Sequence, residues 1–309
     1  MKIFFAIKSA ALRSLKSWKG VLIVWLSSLL LVSMLAIPMK GALNSGFGNS
    51  MITEKLADGI NVEVFLDLGA TLKSLVSYFS IGFFLAILIG FLLNVFLNGG
   101  LFDSLKGSSG KFSTAEFFRA SAKNFWPFLV ISLILNIIII SLALLIIGIP
   151  MAIVGQAAIS SEDAVSKTGI IVISIFLLLL TILILVADYA RAWQVTKDRN
   201  ACFRAIGLGF SQTFRTFLSA YPLITILLVV QLLYGWLVLS ILPGMKPVTG
   251  GGVLLLFLLS QLLFYFKILL KVWRYGSVTS LMEQNSGNDL LSENNPGDLS
   301  KDIEKLLNV

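Results

Sequence analysis

Apolar positions do not alternate with polar ones over most of this chain; they run on in long blocks. Six stretches, at about 20–38, 74–97, 126–149, 169–188, 221–242 and 252–270, are mainly apolar. A hydrocarbon layer about 30 Å thick is crossed by about 20 residues of a helix rising 1.5 Å per residue, and each stretch is about that long. A helix also bonds every backbone amide within itself, as lipid requires. The strands of a barrel would be shorter and would alternate with a period of two. The pattern predicts an all-α polytopic transmembrane helical bundle of six spans.

The polar positions between the blocks fall into two kinds. Before the first, third and fifth spans stand basic segments in which Leu, Phe and Ala interleave with Lys and Arg: "ALRSLKSWKG", "FFRASAKNFWPF" and "CFRAIGLGFSQTFRTFLSAYPL". Such amphipathic helices lie at a headgroup layer or pack on one another as a collar, and the pattern does not choose between these. Phe118-Arg119-Ala120 matches Phe203-Arg204-Ala205, and Trp18, Trp126 and Tyr221 mark the three entrances. Pro127 and Pro222 follow the last two, where the first turn of a helix tolerates proline. Two exits also match, Arg191 with Val195-Thr196 and Arg274 with Val278-Thr279. Together these predict a three-fold internal repeat of amphipathic helix plus helical hairpin. Chance similarity among basic amphipathic pieces is the competing reading.

Lys and Arg crowd the start and the even connections, whereas the third and fifth connections hold only Lys167 and Lys246. The positive-inside rule then predicts both termini and the even connections on the cytoplasmic side. The first span follows a long basic segment and reads as retained rather than as a cleaved signal peptide. In the first external connection, "MKGALNSGFGNSM" reads as loop, "SMITEKLADG" as a short helix, and "INVEVFLDL" as strand or helix. Residues 1–281 form the six-span domain, and 282–309 are expected to be a flexible cytoplasmic tail. The tail closes with a short helix bearing Leu299, Ile303, Leu306 and Leu307 on one face. That face suits docking on a protein partner; a frayed end is the plainer alternative.

Composition sharpens the class. The chain is 57% hydrophobic and 13% charged, against about 45–50% and about 25% in soluble domains. The net charge of +8 follows the loops, so lipid rather than nucleic acid is the expected partner. The chain has no histidine, and its single Cys202 can form no intrachain disulfide. "NGGLFDSLKGSSGK" lacks the spacing of a P-loop, and "GLGF" is no dinucleotide fingerprint. No enzyme, cofactor or metal site is expected.

Polar side chains inside spans are costly and therefore informative. Asn94 and Lys267 lie near span ends, whereas Asn136, Gln231 and Gln261 are deeper and are the candidates for interhelical bonds or a polar pathway. Asp188, Arg191, Lys271 and Arg274 are the candidate ion pair at the cytoplasmic exits. Asp188 can meet Arg191 on its own helix, or reach across to Lys271 or Arg274. None of the acidic residues lies mid-span, which speaks against an ion-coupled carrier.

"NGGLFDSLKG" with "STAEFFRASAKNFWPFL", and "DYARAWQVTKDRNACFRAIGLGF", resemble a broad group of bacterial six-span membrane proteins. They are similar to the membrane domain attached to some glycerophosphodiester phosphodiesterases. The resemblance covers about half the chain and implies a membrane architecture in a bacterial inner membrane. The family's catalytic domain, with its histidines and metal carboxylates, is not in this sequence, so no catalytic residue carries over. The expected role is a non-enzymatic accessory or assembly factor; the alternative is a transporter or channel for a small or lipid-like molecule.

The topology is testable by thiol labelling. In a Cys202→Ser background, single cysteines at Ser45, Ser161 and Thr249 should react with an impermeant reagent in intact spheroplasts, and one at Ser108 should not. Labelling at Ser108 with silence at Ser161 would reverse the orientation.

Overall fold

The computed structural model of the protein describes residues 2–47, 69–106, 112–157, 162–197, 201–245 and 249–293. Among these, the elements are α1 (Lys2–Lys16), α2 (Trp18–Phe47), α3 (Gly69–Ser104) and α4 (Thr114–Ala143). A π-helical turn (Leu144–Gly148) leads into α5 (Ile149–Ala157). Then come α6 (Glu162–Lys197), α7 (Cys202–Arg215), α8 (Phe217–Ile241), a short 3₁₀ turn (Leu242–Gly244) and α9 (Gly250–Glu293). No described residue is in a strand. Among the described residues six helices are long and apolar enough to cross a membrane, and the chain is an integral membrane protein.

Several boundaries differ from the sequence expectation. The stretch 39–47, read as loop, continues α2. A helix already nucleated extends at little cost, and neither Gly41 nor Ser45 breaks it. "SMITEKLADG" and "INVEVFLDL" lie outside the described residues, as does the terminal amphipathic segment. The tail expected to be flexible from 282 is helical as far as Glu293, because Leu281 and Met282 are buried and no proline intervenes before Pro296. Pro127 and Pro222 are not in first turns: both stand inside their helices. The second entrance is fused to its span, so α4 begins well before the proline. Pro150 has the opposite effect. It lacks an amide, and the helix ahead of it widens so that the Ile149 amide bonds back to the Leu144 carbonyl, five residues away.

Two compact units divide the chain, residues 22–94 and the remainder. Within 22–94, α2 and α3 are long apolar helices, and Gly90 faces Leu31. The other unit contains the described core. Its fully buried side chains lie near the basic ends of the spans: Leu101 and Phe102 on α3, Phe128 and Ile131 on α4, Leu185 and Tyr189 on α6, Leu223 and Ile224 on α8, Tyr275 on α9. Toward the opposite ends, Ile140, Ile171, Trp236, Leu239 and Leu254 are exposed. In lipid an apolar side chain gains little by facing protein instead of acyl chains, so this surface needs no cover.

Each entrance packs on a preceding exit, and the order is cyclic. The start of α4 lies on the end of α3, α7 lies on α6, and α1 lies on α9. Small residues permit the approach. A Cβ on Gly100 would fall 2.6 Å from Ser121 Oγ and 2.7 Å from the Phe117 carbonyl oxygen. One on Gly209 would fall 2.7 Å from the Val186 carbonyl oxygen, and one on Gly276 3.4 Å from Ala10 Cβ. The contact positions Ala10, Asn124 and Gly209 begin equivalent stripes: Ser14, Ser17 and Val21; Phe128, Ile131 and Leu135; Thr213, Thr216 and Ala220. All of these are buried except the half-buried Thr216. This register agrees with the Phe-Arg-Ala match and puts Pro127 out of step with Pro222. The first and third entrances break at matched places, Ser17 and Thr216, whereas the second does not break at all.

Overpacking of a close crossing costs about 1–3 kcal/mol. Gly209→Ala and Gly100→Ala should each lower the melting temperature in detergent by several degrees. Gly207→Ala, whose added methyl would meet nothing within 4 Å, should be neutral or raise it, since alanine is the better helix former. Equal melting temperatures for the Gly207 and Gly209 variants would refute the close crossing.

Candidate functional site

The polar centre of the larger unit is built on Asp188, which is fully buried on α6. Its two oxygens take different partners. Arg274 on α9 donates from Nε to Oδ2 at 3.0 Å, and Arg191, one turn along α6, lies 3.5 Å from Oδ1. Arg191 also donates from Nη2 to Ser132 Oγ on α4 at 3.0 Å. One carboxylate and two guanidinium groups thus tie three helices. The Arg274 guanidinium lies 5.2 Å from the centre of the Tyr275 ring. Tyr275 stacks on Phe102 at 4.5 Å, and Phe102 meets Phe128 edge-on at 5.8 Å. The ion cluster therefore continues into an aromatic column joining α9, α3 and α4. Lys271, the other expected partner, has its ammonium 5.5 Å from the Tyr275 ring centre.

The mid-span polar residues have separate places. Gln231 on α8 donates to the Leu270 carbonyl of α9 at 3.1 Å, and Tyr234, one turn on, donates to the Leu263 carbonyl at 2.6 Å. Both side chains hold α8 against α9. Gln261 is half-buried on α9. Asn136, expected between helices, is on the exposed side of α4 instead. The packed stripe of α4 runs through Ile131, Ser132 and Leu135, and the next position turns away from it. Cys202 is half-buried at the start of α7.

Other contacts have no counterpart in the sequence reading. Arg13 on α1 bonds the Leu105 carbonyl at 3.2 Å and Glu283 at 2.7 Å. Trp273 donates its indole N–H to the Ile7 carbonyl at 3.0 Å, and Ser9 meets Ser280 at 2.9 Å. The contacts with Glu283, Trp273 and Ser280 fix α1 along α9. The sequence signal for Glu283 was slight: an acidic residue just beyond the buried pair Leu281 and Met282. At the junction of α3 and α4 a cleft of about 320 Å³ is lined by Asp103, Lys106, Arg119, Ala120, Lys123 and Asn124. Lys106 pairs with Asp103 at 2.7 Å. Among the described residues no group of three or more His, Cys, Asp or Glu is placed to hold a metal.

Comparison with known proteins adds no assignment: no family model, no curated protein and no solved structure matches the chain.

Removing one member of a buried ion pair costs about 3–5 kcal/mol, because the other charge is left uncompensated. Asp188→Ala should therefore lower the melting temperature in detergent sharply. Adding Arg274→Met should restore part of the loss, and adding Lys271→Met should restore less. Rescue by Lys271→Met alone would show that the cross-helix partner is wrongly assigned.

Proposed function

We propose that the chain is a non-enzymatic accessory or assembly factor of a bacterial cytoplasmic membrane. The observation that carries this reading is the use made of polar groups at membrane depth. Gln231 and Tyr234 are spent on the carbonyls of a neighbouring helix. Asp188 is held by Arg274 and flanked by Arg191. Groups committed to holding helices together are not at the disposal of a passing solute. The amphipathic helices point the same way. α1 and α7 each pack one face on an exit helix. Each leaves large apolar side chains exposed: Leu12 and Leu15 on α1, Phe203 and Phe214 on α7. Interleaved with cations, these are suited to the headgroup layer, where a partner's membrane segment is also met.

The test is complementation of a deletion strain. Gln231→Leu and Gln261→Leu, alone and combined, should restore the wild-type phenotype. Leu12→Glu combined with Leu15→Glu should fail to restore it while the protein still accumulates in the membrane. Loss of complementation by the folded double Leu variant would favour a transporter and sink the accessory role.

A further inference from the structure

We infer that the cleft at the junction of α3 and α4 is a binding site for the phosphate of an anionic phospholipid headgroup. Among the described residues three cations and one carboxylate line it, Lys106, Arg119, Lys123 and Asp103, and together these carry a net positive charge. Asp103 holds Lys106 at 2.7 Å and so fixes that ammonium at the rim. The cleft's volume of about 320 Å³ is ample for a phosphodiester group.

The placement along α4 selects a lipid rather than a free ion. Arg119, Lys123 and Trp126 follow one another at helical spacing on one face. Trp126 is 70% exposed, and Phe118 beside the cations is 42% exposed. At 1.5 Å per residue, Lys123 lies about 4.5 Å and Arg119 about 10.5 Å from Trp126 along the axis, away from the apolar run. An interfacial tryptophan sits at headgroup level with acyl chains on one side, so cations one and two turns outward meet the phosphate. The repeat adds a second argument. In the register of Ala10, Asn124 and Gly209, the positions equivalent to Lys123 are Ser9 and Leu208. The packing role of this turn is shared by three entrances; Arg119 has a counterpart in Arg204, whereas the second cation, Lys123, has none. Both Arg119 and Lys123 are exposed.

Quenching by dibrominated lipids tests the site on the full chain in neutral detergent micelles. The Trp126 signal is isolated by subtracting the Trp126→Phe variant. Dibromo-phosphatidylglycerol should quench it at about tenfold lower concentration than dibromo-phosphatidylcholine. Arg119→Gln with Lys123→Gln should weaken the glycerol lipid by about 10- to 30-fold, as loss of two interfacial cations implies. Exchange to Arg119→Lys with Lys123→Arg should keep most of the affinity, and serves as the folded comparison. Lys8→Gln with Lys16→Gln, the same charge removed from α1, should leave it unchanged. Equal quenching by both lipids, an equal loss in the α1 variant, or full displacement by millimolar inorganic phosphate would each overturn the proposal.

Discussion

A leucine gains little by leaving lipid for the interior of a protein, and that constraint decides where this chain puts its core. The spans need no partner over their apolar lengths, and exposed Ile140, Ile171, Trp236 and Leu254 show none being sought. Packing is concentrated where the helices carry charge and where lipid cannot solvate what they carry. There the fold depends on backbone proximity. Gly100 and Gly209 let one helix lie against the carbonyls of another, and the dispersion gained at such crossings stands in for the missing hydrophobic drive.

Asp188 shows the other half of the same economy. A carboxylate with no exposed surface would be untenable unless paired, and it is shared between α6 and α9 by Arg274. Arg191 extends the tie to Ser132 on α4. Such a cluster adds little net stability over a well-packed apolar one. It does penalise any arrangement in which α6 or α9 is rotated or slipped, because a buried charge would then be left alone.

The six spans were legible because length and hydropathy are properties of a segment by itself. The exits were legible for the same reason, since Arg191 and Arg274 recur in matched local strings. What could not be read was which faces meet. For Asp188 the sequence left open Arg191 on its own helix or Lys271 or Arg274 across from it, and packing brings Arg274 to 3.0 Å with Arg191 at 3.5 Å. Asn136 looked like its neighbours in a list of polar residues, yet one step of helical rotation puts it outside the packed stripe. The prolines misled for a related reason. Pro127 signals a helix start only if the chain ahead of it is not already helical, and α4 begins at Thr114. Glu283 was hidden in a polar stretch whose helical state comes from buried neighbours.

The cyclic order of the crossings bears on how the chain is made. Each of the other two entrances finds its exit already synthesised and close behind it. α1 has no such neighbour: Ala10 meets Gly276, Arg13 meets Glu283, and Ile7 meets Trp273. At roughly 5–20 residues per second, a ribosome takes on the order of 10–50 s to supply those partners. Through that interval α1 must be kept from aggregating, with its small-residue face bare. Its exposed Leu12 and Leu15 among lysines give it somewhere to wait, on the membrane surface. The amphipathic character of α1 is thus as much a requirement of assembly order as of the finished fold.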